Sequence, residues 1–191
     1  MHPEDVTKAT MARATAAGNG ELVEQARGGD REALNTLLSL YLADVFDVTF
    51  RVLGERDEAE DAVQEAFINA VRGLPRFRGD ASFRTWLLRI ALNTARSALR
   101  RKGRKRESTL TAVSDLAGDG PDPAEAAIQV TESERVHTLL AELPEKQRLA
   151  VTMRVFQGLS HREIAEVTGS TEGAVRVNYH LGIKRLKEWM Q

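Results

Sequence analysis

The 191-residue chain contains no cysteine, which removes disulfides, thiolate nucleophiles and cysteine-ligated zinc from consideration. It also lacks a long apolar run: nothing approaches the ~20 residues of a membrane span, and the N-terminus has no apolar segment of signal-peptide type. No stretch alternates apolar and polar residues with period two, so strands are not expected and an all-α fold is. A cytoplasmic location is the natural reading of these absences, and no catalysis, metal or cofactor is expected because no metal or nucleophile constellation stands in the sequence.

Two further absences are local. From Arg84 to Arg106 there is no acid, but nine Lys or Arg; from Glu107 to Glu134 there is no Lys or Arg, but seven acids. The formal net charge of the whole chain is only −1, so both signs are concentrated rather than typical. The acidic segment also holds Gly118, Gly120, Pro121 and Pro123, and reads as a flexible linker. The chain therefore divides into two small helical domains: an N-terminal tail at 1–20, a first domain at 21–106, the acidic linker at 107–123 and a second domain at 124–191.

Punctuation places the helices. Glu21–Arg27 forms a short helix ended by Gly28-Gly29. Asp30 caps a long one that Gly54 stops, and residues 55–72 form the next. Ser82 caps the basic helix, expected to end at about Gly103. Helix resumes at Ala124 and runs to Leu143, and Pro144 begins another that Gly158 ends. Two more helices flank Gly169.

Four features carry chemistry. On the basic helix Arg89, Asn93, Arg96 and Arg100 fall within about 60° of one another, and Leu87, Ile90, Ala91, Thr94 and Ala98 lie opposite, facing a core. Trp86 sits on the flank of the basic stripe. A cationic stripe beside an aromatic ring suits phosphates and unstacked bases, against the plainer reading of a solvated face. On the helix before it, Ala59, Ala62, Val63, Ala66, Phe67, Ala70, Val71 and Leu74 make a core stripe. Its other face carries Asp57, Asp61, Gln64 and Glu65 around Ile68. Acids around an exposed apolar anchor suit protein docking; with no histidine nearby, they do not suggest a metal or acid–base site.

The third feature is 159–169, LSHREIAEVTG, followed by a helix from Thr171. Short helix, glycine turn and longer helix form the helix-turn-helix pattern, its outward face presenting Gly173, Arg176, Val177, His180 and Lys184. The fourth is the acidic linker, either a solubilising spacer or a competitor for a cationic channel.

The segments DEAEDAVQEAFINAV (57–71), FRGDASFRTWLLRIALNTAR (77–96) and LPEKQRLAVTMRVFQGLSHREIAEVTGSTEGAV (143–175) resemble, in order and spacing, the bacterial RNA polymerase sigma factors of the extracytoplasmic-function subfamily, which keeps only regions 2 and 4. The resemblance implies that Asp57, Asp61, Gln64, Glu65 and Ile68 dock on the clamp coiled coil of core RNA polymerase. It implies that Arg76, Phe77, Arg78, Gly79, Asp80, Ser82, Phe83 and Trp86 melt the −10 element and hold a flipped base, with Arg89, Asn93, Arg96 and Arg100 on the phosphates.

The second domain, as region 4, would pack on the flap and read the −35 element through Thr171, Gly173, Arg176, Val177, His180, Lys184 and Arg185. This helix departs from the common pattern: Val177-Asn178 and Leu181 stand where members often carry Ser-Arg and Arg, so it is less basic than usual. An anti-sigma factor is a further implied partner, one that could hold the chain at a membrane. The linker acids would occupy the RNA channel until transcript displaces them. The competing function is a stand-alone helix-turn-helix repressor or activator.

Overall fold

A computed structural model describes residues 19–112 and 132–190. The expected N-terminal tail up to residue 18, the linker from residue 113 and the expected helix start at Ala124 lie outside them. Among the described residues the regular structure is entirely helical: α1 Gly20–Arg27, α2 Arg31–Leu53, α3 Arg56–Gly73, a 3-10 turn Leu74–Arg76, α4 Phe83–Ala112, α5 Glu132–Ala141, α6 Glu145–Val155, α7 His161–Thr168 and α8 Glu172–Trp189.

The first lobe comprises α1 to α4. The Asp30 carboxylate accepts from the backbone N–H groups of Glu32 and Ala33, at 2.9 and 3.1 Å, which satisfies two of the four orphan donors that begin α2. Gly54 ends α2 at φ 78°, a left-handed conformation that costs a side-chain-bearing residue more than glycine. The helix then reverses into α3. Both pack against α4, whose Leu87, Leu88, Ala91, Leu92 and Ala95 are fully buried against Leu37, Val45 and Val48 of α2 and Ala62 and Ala66 of α3. Burying each large aliphatic side chain contributes about 1.5–3 kcal/mol. Asn19 donates a 2.7 Å hydrogen bond to the Tyr41 hydroxyl, and burial raises the pKa of that phenol.

α4 does not stop at Gly103. It continues to Ala112, into the segment read as linker. A helical glycine costs only about 1 kcal/mol relative to alanine, and no proline follows before residue 112, so Gly103 alone does not break a helix already anchored at its start.

The second lobe comprises α5 to α8. Ser160 and Glu163 form a reciprocal capping box at the start of α7: the Ser160 hydroxyl accepts from the Glu163 N–H, and the Glu163 carboxylate accepts from the Ser160 N–H at 2.7 Å. Leu140, Leu143 and Val151 form one cluster with Tyr179, Ile183 and Leu186. Leu149, Met153, Ile164, Val167 and Val175 belong instead to a core continuous with that of the first lobe.

The close approach of α6 and α8 depends on Gly182. A Cβ there would lie 2.7 Å from Val151 Cγ2, and β-branched valine has little rotamer freedom to yield. Gly182→Ala should therefore lower stability. The overpacking cost of about 1–3 kcal/mol outweighs a helix-propensity gain of at most about 1 kcal/mol. Denaturant unfolding of the two proteins checks this, and a variant more stable than the parent would refute the packing argument.

Candidate nucleic-acid interface

The turn between Arg76 and Phe83 is built on an aromatic floor. Phe77 and Phe83 are buried, with ring centroids 5.9 Å apart in an edge-to-face arrangement, and Trp86 lies half-buried at 5.1 and 5.5 Å from them. Gly73 makes room for the indole, since a Cβ on it would stand 3.1 Å from Trp86 Cζ2. Ser82 starts α4 by accepting from the Thr85 N–H at 3.1 Å. Gly79 takes φ 78° at the tip of the loop, a conformation nearly reserved for glycine.

Above this floor is an open cavity of about 380 Å³ lined by the loop, by Trp86 and Arg89 of α4, and by Glu166 of α7. Arg76, Arg78, Gly79, Asp80 and Ser82 are exposed around it, whereas Phe77 and Phe83 support it from below. An aromatic wall, a short acid and flanking guanidinium groups suit a splayed base with its phosphates.

The predicted phosphate stripe is present but not uniformly open. Arg89, Asn93 and Arg100 are exposed. Arg96 donates to Glu145 of α6 at 2.8 Å, and Arg100 donates to Ser97 at 2.8 Å. Arg84 is buried and pairs with Asp44 of α2 at 2.7 Å, which makes it a tie between helices rather than part of the basic surface. Arg101 and Lys102 reach back to Glu65 and Glu58 of α3, at 2.8 and 2.6 Å. Pairs this exposed contribute at most about 1 kcal/mol each, so a phosphate can displace them.

On α3, Asp57, Asp61 and Gln64 are exposed, Glu65 is held by Arg101, and Ile68 is 51% exposed. Val71, expected in the core stripe, is 41% exposed and stands one turn beyond Ile68 on the same face. The stripe closes through Ala70 and Leu74, four residues apart, which leaves Val71 about 100° off it. The i, i+3 relation to Ile68 was the signal available for finding it.

In the second lobe Gly169 ends α7 at φ 67°, and Thr171 caps α8 by accepting from the Ala174 N–H at 3.2 Å. Thr171, Gly173, Arg176, Val177, His180, Lys184 and Arg185 are all exposed. Arg176 pairs with Glu172 at 2.9 Å, Lys184 lies 3.9 Å from Glu188, and Arg185 donates to Gln147 at 3.0 Å. Leu181, 46% exposed one turn after Val177, adds an apolar residue to this face that the sequence reading did not single out as a contact. His161 at the start of α7 has a lowered pKa, chiefly through burial and then through Arg154 and Arg176. Among the described residues no group of acids and histidines is arranged to hold a metal ion, and no helix is long and apolar enough to cross a membrane.

Comparison with known proteins identifies the family. The Sigma-70 region 2 family profile matches residues 37–105 and the Sigma-70, region 4 profile matches 133–186. The RNA polymerase sigma-H factor of Pseudomonas aeruginosa is 37% identical over 164 residues, which cover 82% of this chain and 85% of that protein. The ECF RNA polymerase sigma-E factor of Escherichia coli K12 is 36% identical over 165 residues, covering 81% and 85%. The fold is shared with CnrH in complex with the cytosolic domain of CnrY, at TM-score 0.65 and 23% identity over 88% of this chain and 94% of that one. It is shared equally with the sigma factor RpoE of Bartonella quintana, bound there to the anti-sigma factor NepR, at TM-score 0.65 and 21% identity over 82% and 95%. Two regions in family order also set aside a stand-alone helix-turn-helix regulator. With both regions matched and such relatives aligned over most of its length, the chain belongs to the sigma-70 family and is an RNA polymerase sigma factor of the extracytoplasmic-function type.

Proposed function

We propose that the chain is the promoter-specificity subunit of a cytoplasmic RNA polymerase, with no catalysis of its own. The observation that carries this reading is the open cavity between the Arg76–Phe83 loop and Trp86, set beside the cations of α4. In this reading Arg76, Arg78, Gly79, Asp80 and Ser82 surround a base flipped from the −10 element. Trp86 gives it a stacking face, and the buried Phe77 and Phe83 hold that face in place. Arg89, Asn93, Arg96 and Arg100 follow the phosphates of the same strand.

The acidic face of α3 docks on the clamp coiled coil. Asp57, Asp61 and Gln64 steer the approach, Glu65 exchanges its arginine for the partner, and Ile68 with Val71 forms the apolar centre. Helix α8 enters the major groove at the −35 element. There Arg176, released from Glu172, contacts guanine through two hydrogen bonds, and Val177 meets a thymine methyl. Thr171, Gly173 and His180 line the approach while Lys184 and Arg185 serve phosphates. The domains expected at 21–106 and 124–191 then correspond to the −10 and −35 modules. An anti-sigma factor, such as accompanies the Bartonella quintana protein, is the regulatory partner, and it would hold the chain at the membrane if itself anchored there.

Transcription with core polymerase on a random promoter library should give RNA from a restricted set of templates sharing two spaced elements. Unselected initiation, or none, would rule the reading out. Ile68→Asp should weaken core binding at least tenfold, since central apolar anchors are worth about 2 kcal/mol or more; fluorescence titration against core enzyme measures it, and unchanged affinity would remove α3 from the interface. Trp86→Ala should reduce permanganate reactivity of the −10 strand about 5–150-fold, the equivalent of a lost stacking contact of about 1–3 kcal/mol, with Trp86→Phe retaining most of it. Full strand opening by the alanine variant would show that the indole is only a packing residue.

A further inference from the structure

The loop that walls the cavity beside Trp86 also walls a second hollow. Arg76, Phe77 and Arg78 border an open depression of about 440 Å³, completed by Pro75 and by Arg27 from the last turn of α1. Three guanidinium groups from two elements distant in sequence thus share one hollow, and among the described residues no acid lines it. The acid at hand is Glu24, one turn before Arg27 on α1. It accepts from Arg27 at 2.7 Å with its own side chain 69% exposed.

The fold holds Arg27 in this place. Val23 and Ala26 bury the inner face of α1 in the first lobe's core, and Asn19 ties the start of the helix to the Tyr41 hydroxyl. The helix packs on the 3-10 turn itself and ends at Arg27, where the Gly28-Gly29 reversal begins. A cation in the last turn of a helix also complements its dipole. That role calls for no further arginines around the same hollow.

We propose that this depression is a second strand site, which takes a phosphate of the melted strand beyond the captured base, with Arg27 completing it. This rests on the reading of the loop cavity as the −10 strand site. From that cavity the stripe Arg89 to Arg100 leads away along α4, while the shared wall Arg76 to Arg78 leads to the depression. A strand that has left its base against Trp86 therefore continues across Arg76 and Arg78 to Arg27. The ligand is a phosphate rather than a base, because the aromatic member of the hollow, Phe77, is buried. Guanidinium forks, by contrast, bind phosphate oxygens through paired hydrogen bonds. The phosphate takes Arg27 from Glu24, an exposed pair of little strength. Such a contact carries no sequence information; it fixes the register of the strand once the base is captured.

The test uses the full chain with core polymerase and a fluorescein-labelled fork template, duplex upstream and single-stranded across the −10 element, from a promoter the holoenzyme selects. Neutralising one phosphate of a single strand contributes about 0.7 to the slope of log affinity against log salt, or about fivefold per decade of salt. Arg27→Gln should therefore lower that slope by about 0.7 and bind the fork about fivefold more weakly at about 0.1 M salt, converging with the parent near 1 M. Arg27→Lys should keep the parent's slope. Glu24→Gln should tighten binding by up to about fivefold, the most an exposed pair contributes, and lose most of that gain when combined with Arg27→Gln. Replacing the strand's phosphates one at a time by uncharged methylphosphonate locates the contact. One linkage beyond the captured base should weaken the parent about fivefold and leave Arg27→Gln unaffected.

Binding by Arg27→Gln equal to the parent's at every salt concentration would overturn the proposal. So would a weaker variant in which every methylphosphonate acts as it does in the parent, since Arg27 would then support the fold and not the strand. A difference between the two proteins that an abasic nucleotide removes and a methylphosphonate does not would make the hollow a base pocket, and the phosphate assignment would fall. Failure of the underlying reading shows differently: Trp86→Ala, and an abasic nucleotide at each −10 position in turn, would leave fork binding unchanged. If those changes lower binding and Arg27 alone is silent, only the second site is refuted.

Discussion

Helix α4 must satisfy two demands along one length, and the rest of the molecule is arranged around that constraint. Leu87, Leu88, Ala91, Leu92 and Ala95 are buried to the last few per cent, so the helix cannot rotate about its axis without exposing the first lobe's core. That fixed rotation decides which way Arg89, Asn93, Arg96 and Arg100 point. A cationic stripe on an unanchored helix would bind phosphate without register; here the core would supply the register for the proposed phosphate contacts. Arg84, sealed against Asp44 at 2.7 Å, adds a polar lock at the start of the same helix. Removing one partner of a pair that enclosed leaves an uncompensated charge, which costs far more than the pair is worth when intact.

The loop before α4 inherits this rigidity. Phe77 and Phe83 meet edge to face, and Trp86 leans on both, so the indole is held rather than free to search. A stacking face already in place spares the strand the entropy of ordering a side chain, and such preorganisation is what separates strand capture from simple phosphate affinity. Charge supplies attraction over a Debye length of roughly 8–10 Å and is tolerant of sequence. Shape at the cavity acts at contact distance and is not tolerant.

Much of this was legible in the chain because its signals are local. Asp30, Gly54, Ser82 and Gly169 act within one turn of the helix ends they mark, and the period-3.6 pattern places α2, α3 and the first part of α4. The exposed Ile68 among acids is also a local pattern. What could not be read there depends on distant partners. Arg84 looked like one more base in a basic run until Asp44, forty residues earlier, was found against it. Arg101 and Lys102 likewise reach α3, and the exposure of Val71 follows from where the stripe closes at Leu74 rather than from its own hydrophobicity. The extension of α4 past Gly103 shows a weak breaker outvoted by its helix.

Ion pairing within the chain also bears on how selective the proposed nucleic-acid faces would be. Four cations of the two basic faces have an acid within the molecule: Glu145 for Arg96, Glu65 for Arg101, Glu58 for Lys102 and, on α8, Glu172 for Arg176. Each pair is exposed enough to be weak, so none contributes much to stability. Their effect lies in competition. A phosphate gains from a free guanidinium, but from a paired one it gains only the difference between two similar contacts, and the displaced acid then repels it. Summed over several sites, that difference would suppress non-specific binding, which depends almost wholly on phosphate contacts. The proposed base capture in the cavity would not be reduced in the same proportion, because it would draw on stacking and shape. Internal acids would therefore raise selectivity by lowering the term that all sequences share.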